Sequence, residues 1–292
     1  MIRILDGGMG GEIQSRRPEA AHGLWSATAL VEDPDLVLDI HHEYIEAGAE
    51  IITTNTYSTI PSYLGKAGLE ERAAELTRLA AELARRAADS AQHGVEVAGS
   101  LPPLSESYRA DLVPAPEEAL PIYAQMVTTM ADKVDFFLCE TMATADEARH
   151  AASQALALGK GKPVYVSWSL NERPGAGLRS LESVSAAHEG LADLEIAGFL
   201  FNCTHTQAIE AALAELRPLT DRPIGCYPNR MQDVPPGWTL DNEVHTGLRT
   251  ELSIEVYVTS MLRCAELGAS ILGGCCGIGP EYIRALADRI RP

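Results

Sequence analysis

The chain has 292 residues, with 41 acidic against 23 basic side chains and a formal charge of −18. At a pI near 4.8 it has no basic face with which to neutralise phosphates, which argues against nucleic acid and anionic membranes as partners. Hydrophobic residues at 46% and charged ones at 22% are ordinary for a globular protein, and no apolar run approaches the roughly 18 residues of a membrane span.

The predicted elements alternate from end to end. A strand at 3–6 runs into Gly7-Gly8, and a helix at 34–46 ends on the C-cap signal Ala47-Gly48-Ala49 before a strand at 50–54. The helix at 70–91 places Leu76, Leu79, Ala80 and Leu83 on one face, at i, i+3, i+4 and i+7. There follow strand 96–100, helix 119–133, strand 135–140, helix 145–157 closed by Leu158-Gly159, strand 164–168 and helix 183–193. Strand 198–202, helix 206–216, strand 223–227, helix 251–267 and strand 270–273 complete the series. Eight such units point to a single-domain α/β fold over 1–292, a (β/α)8 TIM barrel. A doubly wound open sheet uses the same alternation but needs a Gly-rich phosphate turn after its first strand. Asp6-Gly7-Gly8-Met9-Gly10-Gly11 does not supply it: Gly8 and Gly10 fit GxGxxG, but position 13 is Ile.

In a barrel the strand ends converge on one face, where barrel enzymes work. Here they carry Asp6-Gly7-Gly8, Thr54-Asn55-Thr56-Tyr57, Glu140-Thr141, Asn202-Cys203, Tyr227-Pro228-Asn229 and Gly273-Gly274-Cys275-Cys276-Gly277. Polar and thiol groups gathered there are hard to explain as packing. Six cysteines without an export signal suggest metal binding, catalysis or burial in a cytoplasmic protein. A lone cysteine is usually a small buried hydrophobe, which is the reading for Cys139, Cys226 and Cys264. The glycine-framed pair Cys275-Cys276 can ligate one metal if the chain turns sharply, and Cys203 lies only two strands away. Three protein thiolates with one open position is the arrangement of catalytic zinc. An acid at a strand end is often only a cap, but Asp6 and Glu140 share the rim of the thiol cluster.

Taken together, Leu5-Asp6-Gly7-Gly8-Met9-Gly10, Thr53-Thr54-Asn55-Thr56-Tyr57, Asn202-Cys203 and Gly273-Gly274-Cys275-Cys276-Gly277 resemble the homocysteine S-methyltransferase family. That family includes betaine–homocysteine methyltransferases, S-methylmethionine-using enzymes and the homocysteine domain of methionine synthase. The resemblance implies a zinc barrel that methylates the thiol of L-homocysteine, with Cys203, Cys275 and Cys276 as Zn2+ ligands. It also implies that Asp6 and Glu140 hold the substrate ammonium, that Gly7 and Gly8 line the pocket, and that Asn55 and Asn202 are polar positions near it. The segment at 99–109, GSLPPLSESYR, departs from the GPYGA-like stretch of the S-methylmethionine enzymes.

The donor must carry an activated methyl. Sulfonium and quaternary ammonium donors leave as neutral molecules and need no general acid, so S-methylmethionine is expected first, then S-adenosylmethionine, then betaine. Trp25, Tyr57, Trp168 and Tyr227 are candidates for an aromatic cage around such a cation, although any one of them is more readily core. A homo-oligomer is left open. Two other readings keep the metal: a zinc and thiol sensor or store without methyl transfer, and a zinc barrel hydrolase. The hydrolase suits the ligands poorly, since of eight histidines only His205 lies near a proposed thiol.

Overall fold

The computed structural model describes residues 1–17, 26–234, 237–239 and 247–291. Within them, eight parallel strands form one sheet: β1 (Arg3–Ile4), β2 (Ile51–Thr53), β3 (Glu96–Leu101), β4 (Phe136–Met142), β5 (Val164–Trp168), β6 (Gly198–Asn202), β7 (Ile224–Tyr227) and β8 (Ala269–Leu272). Their order is β1-β8-β7-β6-β5-β4-β3-β2. The ring closes between β1 and β2 through the parallel bridge Leu5–Ile51, supported by Asp6 N to Ile51 O at 2.9 Å and Glu50 N to Ile4 O at 2.8 Å. This is the (β/α)8 barrel that the alternation predicted.

The helices are α1 (Met9–Arg16), α2 (Ala27–Glu32), α3 (Pro34–Glu46), α4 (Pro61–Leu64), α5 (Ala73–Ser90), α6 (Pro116–Met130), α7 (Ala145–Leu158), α8 (Val184–Glu189), α9 (Thr206–Leu216), α10 (Ile254–Glu266) and α11 (Pro280–Ile290). Two expected helices, 34–46 and 206–216, match in both bounds. The expected 70–91 opens with a 3-10 turn at Glu70–Arg72 before α5 begins. Helix α6 starts at Pro116, earlier than expected, because proline with its fixed φ suits the first helical turn. Helix α8 is shorter than 183–193. Among the described residues no helix is long and apolar enough to cross a membrane.

Side chains alternate across each strand, and the alternation sorts the core into two layers. Ile51, Ala98, Phe136, Leu138, Leu200 and Ile271 fill the barrel interior, while Ile4, Ile52, Val97, Phe137, Val166 and Leu272 pack outward under the helices. One step further towards the carboxyl ends, the inward positions become Thr53, Ser100, Glu140, Ser167, Asn202 and Tyr227. The barrel is therefore apolar below and polar at the top, and the polar layer floors the site.

The end of β4 is fixed from outside as well. The Thr144 hydroxyl caps α7 by accepting from Glu147 N at 2.9 Å, and the Glu147 carboxylate accepts from Ala143 N at 2.7 Å. Burial pushes the Glu147 carboxyl from an ordinary 4.5 up to about 7. Between those values the native state holds the proton more tightly than the unfolded chain, so this contribution to stability is lost as pH rises through 7. Glu147→Gln keeps the acceptor for Ala143 without the charge. It is expected to melt above the parent at about pH 8 and close to it at about pH 5. Scanning calorimetry at both pH values decides: equal differences would mean that the buried charge carries no cost.

Candidate functional site

A cleft of about 800 Å3, counting space open to solvent, sits at the carboxyl end of the barrel. Asp6, Gly7, Gly8, Asn55, Glu140, Cys203, Cys275 and Cys276 all line it, so the structure brings together every site residue expected from sequence except Asn202. Asn202 lies beneath, fully buried in the polar layer. Of the aromatic candidates, Tyr57 and Tyr227 line the cleft. Trp168 faces away, stacked on Phe199 at 5.5 Å with the rings 4° apart, because it shares the outward parity of Val164 and Val166. Trp25 lies outside the described residues.

The thiols are held by backbone. Following β8, the chain is pinned by Gly273 N to Cys226 O at 3.0 Å, Gly274 N to Asp6 O at 2.9 Å and Cys275 N to Pro228 O at 2.8 Å. The turn then closes with Gly277 at φ 77°, a left-handed conformation that suits glycine. Gly8 packs against this turn so closely that a Cβ there would stand 2.7 Å from the Cys275 carbonyl oxygen. The two glycine-rich motifs are thus complementary halves of one contact. Cys203 enters from β6 with φ 52°.

Cys203 Sγ lies 3.7 Å from Cys276 Sγ, and Cys275 Sγ lies 4.0 Å from Cys276 Sγ. Tetrahedral ligands at a zinc–sulfur distance of about 2.3 Å stand roughly 3.8 Å apart, so the donor set fits such an ion. The electrostatics agree. The Cys203 thiol is driven well down by hydrogen bonds from the Cys275 and Cys276 thiols, while both of those are pushed well up by hydrogen-bonding to Cys203 and by burial. One sulfur ionises at the expense of the others unless a cation joins them.

Two acids line the same cleft as the thiols. Thr53 donates to Asp6 Oδ2 from its amide at 2.7 Å and from its hydroxyl at 3.1 Å. Glu140 accepts from Ser100 Oγ and from Tyr227 OH, the latter at 3.2 Å. Burial raises the Asp6 carboxyl well above its usual range, with Glu140 adding repulsion, and raises Glu140 to about 7. Among the described residues neither carboxylate has a cation paired with it.

The third wall is aromatic. Tyr108 and Trp238 have ring centroids 6.0 Å apart, the Arg179 guanidinium lies 4.5 Å over the Tyr108 ring, and Tyr57 OH meets Ser107 Oγ at 2.7 Å. Sequence reading missed Tyr108, Trp238 and Met231 as lining residues and named Thr141 only as the neighbour of Glu140 at its strand end. Tyr108 lies in the segment already set apart at 99–109, and Thr141 follows Glu140 directly. Trp238 carries no periodic signal. Glu172, His205 and Asp233 also cluster. There, Glu172 binds Arg179 at 2.6 Å and accepts from the His205 amide at 3.1 Å, Asp233 is exposed, and burial lowers the His205 imidazole pKa, so the group is a polar network tying the loop after β5 to the start of α9.

A cleft at the carboxyl face, floored by polar residues from the strand ends and holding ionisable groups with displaced pKa values, places this chain among the (β/α)8-barrel enzymes. The family model for homocysteine S-methyltransferase matches residues 3–290. The homocysteine S-methyltransferase of Escherichia coli K12 is 29% identical, with 99% of this chain and 95% of the relative aligned. The selenocysteine Se-methyltransferase of Brassica oleracea var. italica is 28% identical over 98% and 88%. The crystal structure of the homocysteine methyltransferase MmuM from Escherichia coli, in its metallated form, superposes with a TM-score of 0.82 at 27% identity, covering 99% of this chain and 96% of that one. The chain belongs to the homocysteine S-methyltransferase family.

Proposed function

We propose that this enzyme moves a methyl group from a cationic donor, S-methylmethionine before S-adenosylmethionine and betaine, to the thiol of L-homocysteine, with zinc held by Cys203, Cys275 and Cys276. One barrel over 1–292 carries the whole site. The observation that carries this reading is the meeting, in one cleft, of three thiols at metal-binding spacing and two buried carboxylates.

Zinc in the thiol cluster would remove the proton from an incoming thiol, which free in water has a pKa near 8.5 and is only a few per cent ionised at pH 7. Everything else falls to the chain. Asp6 and Glu140 take the substrate ammonium, which offsets the cost of burying them. The start of α1, where the first amides of any helix lack intrahelical partners, lines the same cleft through Gly8, Met9, Gly10 and Gly11 and suits the carboxylate. Fixing both ends of homocysteine orients its sulfur. That sulfur attacks the donor methyl carbon in line, the bond from that carbon to the donor's sulfonium breaks, and a neutral thioether leaves with the electron pair. No proton is needed at the leaving atom, and holding the two reactants in line is worth several kcal/mol.

Tyr108, Trp238 and Tyr57 form the wall for the donor cation and keep water from the sulfur. Trp238→Ala is accordingly expected to raise the donor KM by roughly 10-fold while moving the homocysteine KM less than about 3-fold. Equal shifts for both substrates would remove Trp238 from the donor side. The governing experiment is direct: zinc-loaded protein, homocysteine and each of the three donors in turn, with methionine as the readout. Turnover with betaine alone would overturn the donor order. No methionine with any donor would leave a metal and thiol binder.

A further inference from the structure

Asn202, expected as a polar position near the pocket, does not line the cleft. Its carboxamide is spent on two neighbours, chiefly Thr141. Oδ1 accepts from Thr141 N at 2.9 Å and from Ser167 Oγ at 2.7 Å, and Nδ2 donates to Thr141 Oγ1 at 2.8 Å. Thr141 is a β-branched residue at φ 61°, in the left-handed region where such side chains are outliers. It is also the extra residue of a bulge: β4 pairs Cys139 with Val166 and then Met142 with Trp168, three residues against two. The bulge changes the facing of the strand. Phe136 and Leu138 point into the barrel and Glu140 continues that face, but Met142 packs outward, so Glu140 and Thr141 both reach the cleft.

We propose that Asn202 is a positioning residue: its carboxamide clamps Thr141 in the left-handed bulge, and the bulge aims Glu140 at the substrate ammonium from a fixed distance to Cys203. A carboxamide is suited to the task, since it offers an acceptor and a donor side by side to the amide and the hydroxyl of one residue. The clamp spans β5, where Ser167 completes it. Asn202 also precedes Cys203 directly, so the clamp and the first thiol leave the same strand end. The inference rests on the reading that Glu140 receives the ammonium.

Asn202→Ala is expected to raise the homocysteine KM and Kd by roughly 20-fold, with kcat within about 3-fold and one zinc retained per chain, the signature of lost uniform binding. Glycine adopts the left-handed bulge without a clamp. The double variant Asn202→Ala/Thr141→Gly should therefore bind homocysteine within about 3-fold of Thr141→Gly alone. An unmoved KM in folded Asn202→Ala, or a double variant binding more than about 3-fold weaker than Thr141→Gly alone, overturns the proposal. Should the alanine variant fail to fold, Asn202→Ser carries the same comparison. Glu140→Gln separates the two readings. If it binds homocysteine as the parent does, the ammonium assignment falls, and the clamp is then decided by the crystal structure of Asn202→Ala. Thr141 in extended conformation there supports it, and Thr141 still left-handed overturns it.

Discussion

Alanine at Cys203, Cys275 or Cys276 will empty the metal site and lower methionine formation by more than about 100-fold, since changes even in the groups around metal ligands cost about 10–100-fold. With sulfurs 3.7 and 4.0 Å apart, removing any one leaves two ligands where three converge. On the proposed reading, the remaining thiols would lose the cation that lets them ionise together. Cys139, Cys226 and Cys264 are fully buried and belong to the outward-facing core. Their alanine variants should keep one zinc and full turnover, with only a lowered melting temperature. Metal content by mass spectrometry and methionine formation, measured on all six, test this. A ligand variant that keeps its zinc and activity would remove that cysteine from the centre.

Asp6→Asn and Glu140→Gln should raise the homocysteine KM strongly and leave zinc in place. Charge-assisted hydrogen bonds contribute about 1.5–3 kcal/mol, or roughly 10- to 150-fold in KM for each acid. Asn at position 6 keeps an oxygen for Thr53, while Gln at 140 keeps one for Ser100 and turns its NH2 to the Tyr227 hydroxyl, which can accept, so the charge is the main loss. Homocysteine titrations with the donor saturating give the split between KM and kcat. Parent-like KM in both variants would place the ammonium elsewhere.

The barrel was legible because both of its periods are written plainly: twofold alternation in strands such as Val164–Trp168, and the threefold-to-fourfold face of Leu76, Leu79, Ala80 and Leu83. The thiols and acids were legible because each ends a strand, and strand ends meet. Helix α1 was not, since Gly10 and Gly11 lower the helical propensity of so short a segment. The parity that sends Trp168 outward can be counted from Val164, whereas the bulge at Thr141 cannot. It depends on Asn202, 61 residues later, and local sequence carries no sign of it. Tyr108 and Trp238 come from loops, where no period indicates which side chain turns inward.

The closure of the ring has a consequence for binding. The shortest strands, β1 and β2, are joined by one bridge, and the Asp6 side chain reaches over that joint to hold the Thr53 amide. On the proposed reading, the carboxylate that greets the substrate is also the clasp of the barrel. Linkage is reciprocal, so a ligand that favours the fastened arrangement tightens the joint by the same free energy with which the joint improves its grip. Occupancy and closure become two views of one equilibrium, set at the thinnest place in the wall.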